Sequence, residues 1–214
     1  MEQATTAEPS PSFSVMVVCT GNICRSPVVE QVLRERYGRF GVEVSSAGTG
    51  ALVGEGMPEQ AQRMSEHLGG SPAGHRGRQV TKPLIEQADL VIGLARDHRR
   101  DLARLLPRSA RYTFTLRELA RLLESVVEDD RVTLPAGPGG LQDVLRGFVP
   151  VVAGHRGFAA QPEEPREDDV VDPFRRSQET YDRAEREMDD ALTRIVAAID
   201  ALAARFAPPG ADRP

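Results

Sequence analysis

The stretch Cys19-Thr20-Gly21-Asn22-Ile23-Cys24-Arg25-Ser26-Pro27 constrains this chain more than any other. A short apolar, β-branched run precedes it, Ser14 to Val18, and apolar side chains at 28, 29, 32, 33 and 37 follow it with the spacing of one helical face. A strand therefore hands over to a helix through a loop that carries Gly-Asn, Arg-Ser and Pro. Comparable signals predict strands at Val42 to Ser45, Asp89 to Leu94 and Tyr112 to Thr115, and helices at Pro58 to Leu68, Asp97 to Leu106 and Leu116 to Val127. Alternating strands and helices imply an α/β fold: a single-domain three-layer sandwich around a central four-stranded parallel sheet, with right-handed crossovers. Ligands of such sheets bind beyond the carboxyl ends of the strands, so a site is expected directly after Val18.

The rest of the chain sets limits. Its 214 residues suit one domain, and 40% hydrophobic with 28% charged residues is enough for a packed core. A net charge of −5 argues against a nucleic-acid partner, which a basic surface would attract. Residues 1–12 read as a flexible polar tail with no targeting signal, and the absence of a long apolar run predicts no membrane insertion. Two cysteines and four scattered histidines predict neither a disulfide framework nor a metal site, and point to the cytoplasm. The domain is expected over 13–206, with a loop-rich insertion at 128–169 (LPAGPGG, QPEEPRE) inside which Leu141 to Val152 is apolar enough to dock. Apolar residues at 181, 184, 188, 192, 195, 199, 202 and 206 predict one long helix from Ser177, a suitable N-cap, with its stripe on the sheet. Residues 207–214 read as a second tail.

The chemistry of the loop follows from its residues. A cysteine followed by an arginine six positions later lets the backbone curl around a tetrahedral dianion. The N–H groups then point inward and the helix N-terminus adds positive potential, a phosphate cradle made by residues 20–26. Gly21 allows close approach, and Asn22 tolerates a left-handed backbone. Pro27 suits the first helical position. Arg25 can offer a planar fork to two phosphate oxygens, and the same positive field favours the nucleophilic thiolate of Cys19. Ser26 can donate to the sulfur and make it a better leaving group, so no metal or other cofactor is required. Cys24, brought near Cys19 by the curl, could trap an oxidised Cys19 as a disulfide or could simply pack.

A group that protonates the leaving oxygen is also needed. Asp172-Pro173, between the irregular segment and the last helix, is the best candidate, although from spacing alone Asp172 could equally start a turn. Adjacent Phe174 could contact an aromatic ring.

VCTGNICRSP resembles the phosphate loop of low-molecular-weight protein tyrosine phosphatases, and VDPF before a helix resembles their general-acid loop. Ser46-Ala47-Gly48, Gly50 to Gly54, His75 to Thr81 and Ala88 to Ile92 match further segments, most closely those of bacterial members linked to exopolysaccharide export. The resemblance implies hydrolysis of phosphotyrosine through a phosphocysteine. Cys19 would be the nucleophile, Arg25 the phosphate clamp, Asp172 the general acid and Ser26 the donor to sulfur. Thr20, Gly21, Asn22, Ile23 and Cys24 would complete the cradle, with Asn22 and His75 bracing it from behind and Leu52 and Phe174 flanking the phenyl ring. It implies a phosphotyrosine-containing partner such as a bacterial tyrosine kinase. Eukaryotic members carry regulatory tyrosines where this chain has Phe174 and Arg175, so that mode of regulation is excluded. The chain between Thr115 and Val171 is longer than the family's usual connection, which suggests a cover or docking surface beside the site. A protein-arginine phosphatase, differing chiefly at the position of Ile23, is the nearest alternative. An arsenate reductase would need further cysteines, and a non-catalytic phosphotyrosine-binding module would need neither Cys19 nor Asp172.

Overall fold

The computed structural model describes residues 12–134 and 140–206; the expected tails, apart from Ser12, lie outside them. Four strands, β1 (Phe13–Cys19), β2 (Val42–Gly48), β3 (Leu90–Gly93) and β4 (Thr113–Thr115), form one parallel sheet in the order β2-β1-β3-β4. Between them run α1 (Arg25–Tyr37), α2 (Glu59–His67), α3 (Lys82–Glu86) and α4 (Arg96–Leu105). After β4 come α5 (Leu116–Glu128), α6 (Leu141–Gly154) and α7 (Gln178–Phe206).

The layers follow from strand alternation. Side chains on a strand face opposite sides in turn, so Val15, Val17 and Cys19 enter one core while Met16 and Val18 enter another. The smaller core closes with Ile85 of α3 and Leu102 of α4. The larger one takes Val28, Val29 and Leu33 of α1, Met64 of α2, Leu119 and Leu122 of α5, and Met188 and Ile195 of α7. This is the expected three-layer α/β sandwich. Helix α1 starts at Arg25, so Pro27 is its third residue and not its first. The position still suits proline, because N–H groups of the first turn have no acceptor within the helix. Ser177 directly precedes α7 and its carbonyl accepts from the Tyr181 N–H, but its hydroxyl donates to the Glu179 carboxylate. The α7 stripe packs chiefly on α5 instead of lying flat on the sheet, although Ile195 and Ile199 line an apolar cavity of about 50 Å³ shared with Phe13, Val15 and Ile92.

The segment expected to be loop-rich contains a fourteen-residue helix, α6. Pro150 sits inside α6 and removes one backbone hydrogen bond, a fault worth roughly 3 kcal/mol in a helix interior. Burial of Leu141, Val144, Phe148 and Val152 in the larger core outweighs it. The helix is also not beside the expected site. Arg146 donates to the Ser12 carbonyl at 2.9 Å, and Val149 and Pro150 line a groove with Phe13, Asp89 and Tyr112, which all stand at the amino ends of strands. Cys19 is at the other end of β1, roughly 20 Å away at the usual strand rise.

From α6 the chain returns along α5. Arg156 reaches Glu118 (2.9 Å) and stacks over Phe114, Arg121 donates to the Ala160 carbonyl (2.8 Å) and pairs with Asp168 (3.2 Å), and Asp169 pairs with Arg96 (2.9 Å). Among the described residues no helix is long and apolar enough to cross a membrane.

Candidate active site

Strand β1 lies between β2 and β3, and the connections from β1 and β3 run to opposite sides of the sheet. A crevice opens where they diverge, at the carboxyl end of β1, and Cys19 is the residue there. Its Sγ lies 3.0 Å from Ser26 Oγ and accepts the Asn22 N–H at 3.2 Å. The curl that makes this possible turns at Asn22, whose φ of +56° is in the left-handed region that a short polar side chain tolerates.

Asn22 is fully buried and every polar group on its side chain is used. Its Nδ2 donates to Ser26 Oγ (2.9 Å) and Ser46 Oγ (2.8 Å), while its Oδ1 accepts the Arg78 N–H (2.9 Å). Its carbonyl lies 2.6 Å from His75 Nε2. Ser46 Oγ donates in turn to Glu30 Oε2 (2.5 Å), which stands 3.9 Å from His75 Nδ1. Asn22 and His75 thus meet behind the loop, joined by Ser46 and Arg78 from segments that the sequence singled out without a role and by Glu30 of α1.

The loop is held from the front as well. N–H groups of Thr49, Gly50 and Leu52 donate to the carbonyls of Cys19, Thr20 and Gly21 at 2.9–3.0 Å. This approach requires Gly48, where a Cβ would stand 2.3 Å from the Thr20 carbonyl oxygen, and Gly77, where one would stand 2.5 Å from that of Leu52. Both glycines lie in segments that the sequence singled out without a role.

Arg25 is 4% exposed. Its Nη1 donates to the Val170 carbonyl (2.9 Å), its Nη2 pairs with Asp172 Oδ2 (2.8 Å), and its Nε is buried with no partner. Asp172 is half exposed, and its other oxygen accepts the Phe174 N–H at 3.2 Å. The chain leading to it is strapped down: Asp169 to Arg96, the Val170 N–H to the Leu94 carbonyl (2.9 Å), and the Val171 N–H to Glu187 (2.8 Å). Tertiary contacts thus bring Asp172 to Arg25 across 147 positions of sequence.

Leu52 is exposed beside the loop, and Phe174 is half-buried with the Arg175 guanidinium 5.0 Å from its ring centre. Ile23 is buried, close to Gly21 and Gly77. Cys24 is buried with its Sγ 3.9 Å from Tyr181 Oη, and loss of solvent pushes its thiol up to about 12, against that hydrogen bond. His98 of α4, which no sequence pattern flagged, places Nε2 3.0 Å from Thr20 Oγ1. Burial first, and then the Arg25 charge, push its imidazole down to about 4, so it is neutral near pH 7.

This arrangement can hold a tetrahedral oxyanion against a thiol, with a carboxyl group at the rim. The model of the family "Low molecular weight phosphotyrosine protein phosphatase" matches residues 14–130. The low molecular weight protein-tyrosine-phosphatase Etp of Escherichia coli is 38% identical over 94 residues, 44% of this chain and 62% of Etp, so the match spans less than two thirds of that relative. The crystal structure of the tyrosine phosphatase Wzb from Escherichia coli K30 in complex with sulphate superposes with a TM-score of 0.58 at 26% identity, covering 86% of this chain and 95% of Wzb. The YwlE arginine phosphatase from Geobacillus stearothermophilus gives a TM-score of 0.59 at 25% identity, covering 86% and 91%. With the family match covering more than half of its residues, the chain belongs to the low molecular weight phosphotyrosine protein phosphatase family.

Proposed function

We propose that the protein is a cytoplasmic protein tyrosine phosphatase that works through a phosphocysteine on Cys19. The observation that carries this reading is the placing of Arg25, at the start of α1 in the loop that follows Cys19, with one buried N–H without a partner and another paired to the carboxylate of Asp172. A buried donor without a partner is costly, and a phosphate oxygen is the partner that the chemistry supplies. The sulphate complex of Wzb supports the same use of the fold.

In the first step the Cys19 thiolate attacks phosphorus and the bond to the tyrosine oxygen breaks, with Asp172 giving its proton to the departing oxygen. In the second, water attacks the phosphocysteine, Asp172 takes the water's proton, and the sulfur leaves as a thiolate steadied by Ser26 and the Asn22 N–H. Arg25 and the inward N–H groups of residues 20–26 carry the phosphoryl charge throughout. Two buried free cysteines fit a reducing compartment. The partner is a phosphotyrosine-bearing protein, for which the family likeness suggests a bacterial tyrosine kinase. Arginine phosphatase activity is the second reading, favoured by the shared fold of YwlE. Arsenate reduction is disfavoured, since Cys24 is the chain's only other thiol and burial holds it protonated.

The test is turnover of phosphotyrosine, phosphoserine and phosphoarginine peptides in the presence of a chelator. Phosphotyrosine should be preferred, and Cys19→Ser should abolish turnover while still binding phosphate. Preference for phosphoarginine would move the protein to the second reading, and activity surviving in Cys19→Ser would end the mechanism.

A further inference from the structure

His98 has no part in the chemistry above, yet it is buried on α4 with one ring nitrogen on the cradle and the other bare. Nε2 lies 3.0 Å from Thr20 Oγ1, and Nδ1 is buried with no hydrogen-bond partner. A neutral imidazole carries one N–H, and its place decides what the threonine can do. Were the proton on Nδ1, a donor would be orphaned in the interior, which proteins avoid more strictly than a bare acceptor lone pair. Thr20 Oγ1 would then have to donate to Nε2, turning its own lone pairs outward. With the proton on Nε2, His98 donates, Thr20 Oγ1 accepts, and the hydroxyl hydrogen is free. The backbone of Thr20 is fixed as well, its carbonyl accepting the Gly50 N–H at 3.0 Å. Thr20 is exposed while Cys19, Asn22 and Arg25 of the same loop are buried, so the residue stands at the open side of the cradle.

We propose that His98 is a positioning residue which holds Thr20 Oγ1 as an acceptor and so presents the Thr20 hydroxyl hydrogen to the bound phosphoryl group. The inference rests on the phosphatase reading and adds to it a side-chain donor among backbone ones. Tautomer choice matters because a lone pair facing a dianion repels it, whereas a hydrogen attracts it.

Nitrogen-resolved NMR of the imidazole should show a protonated Nε2 and a bare Nδ1, and the reverse would overturn the proposal. Affinity for inorganic phosphate, measured by calorimetry, should fall about tenfold in Thr20→Val and in His98→Ala, the usual worth of a hydrogen bond to a charged group. Thr20→Ser keeps the hydroxyl and His98→Gln keeps a donor, so both should stay near the parent value. Thr20→Val with His98→Ala together should lose no more than either alone, because both act through one hydrogen. A merely structural histidine would lower the thermal midpoint and leave phosphate affinity unmoved, or give additive losses, and either result overturns the proposal. Normal turnover by the parent protein with unchanged phosphate affinity in His98→Ala would sink this inference alone. A parent protein that neither binds phosphate nor turns over any phosphopeptide would sink the phosphatase reading with it.

Discussion

Asp172 serves two partners with one carboxyl group, because it pairs with Arg25 at 2.8 Å and in the proposed mechanism also reaches the leaving oxygen. Replacing it with Asn should slow phosphotyrosine hydrolysis by about 10²–10⁴-fold, the usual worth of a general acid, and less for aryl phosphates with acidic leaving groups. Inorganic phosphate should bind the same variant more tightly, since no carboxylate charge beside Arg25 then repels the anion. Loss of both turnover and affinity in calorimetry would show a damaged cradle instead. His98 ties stability to pH. Burial and Arg25 lower its proton affinity, while Asp172, Asp101 and Asp97 raise it by less. On acidification the unfolded chain protonates near the ordinary value of 6.5, but the folded one waits until about 4. Stability therefore falls across that window and His98 takes no further part below it. Urea unfolding of His98→Gln should show a shallower decline between those values, and parallel curves would mean that the folded ring protonates freely.

At the level of elements, the two sheet faces and the phosphate loop were legible because their signals are local. Strand, Gly-Asn, Arg-Ser-Pro and helix follow one another within fifteen positions, and each carries its own periodicity or turn chemistry. Ser46 and Arg78 stood in segments that the sequence singled out, but their roles were not legible because they depend on long-range contacts; Glu30 and His98 sit on helices at positions whose neighbours show only ordinary amphipathic spacing. Helix α6 was missed for a different reason: the Pro- and Gly-rich stretches that flank it, LPAGPGG and QPEEPRE, set the reading of the whole segment, while apolar residues at 141, 144, 148 and 152 already had helical spacing. Tertiary burial overrode the local penalty. Phe148 is 3% exposed at the centre of that face and stacks edge-on against Phe206. Phe148→Ala should cost about 3–5 kcal/mol in chemical denaturation. The turnover of the folded fraction should not change, since α6 is at the far end of the sheet. A specific loss of activity without loss of stability would restore α6 as a cover for the site.

For the molecule as a whole, Glu118 is the junction between the family's common segment and the extra one. It closes the capping box of α5 with Thr115 and receives Arg99 (2.7 Å) and Arg156 (2.9 Å). Burial pushes its carboxyl up, but the two arginines outweigh that and hold it below the ordinary range. A depressed carboxylate stabilises the fold above its unfolded value, near 4.5, and ceases to do so as pH falls through the folded one. Glu118→Gln should therefore lose stability at pH 7 and converge with the parent chain in strong acid; a difference constant with pH would assign the effect to shape and not charge. The cavity shared by Phe13 and Val15 with Phe148, Ile195 and Ile199 has a consequence in time. Leu33 and Tyr37 of α1 line it too and lie close in sequence to Phe13 and Val15, whereas Phe148, Ile195 and Ile199 stand more than a hundred positions away. One side of this core can therefore close over a short loop, while the other waits on contacts of long sequence separation, which form slowly. The last packing step of the larger core should thus set the pace of folding.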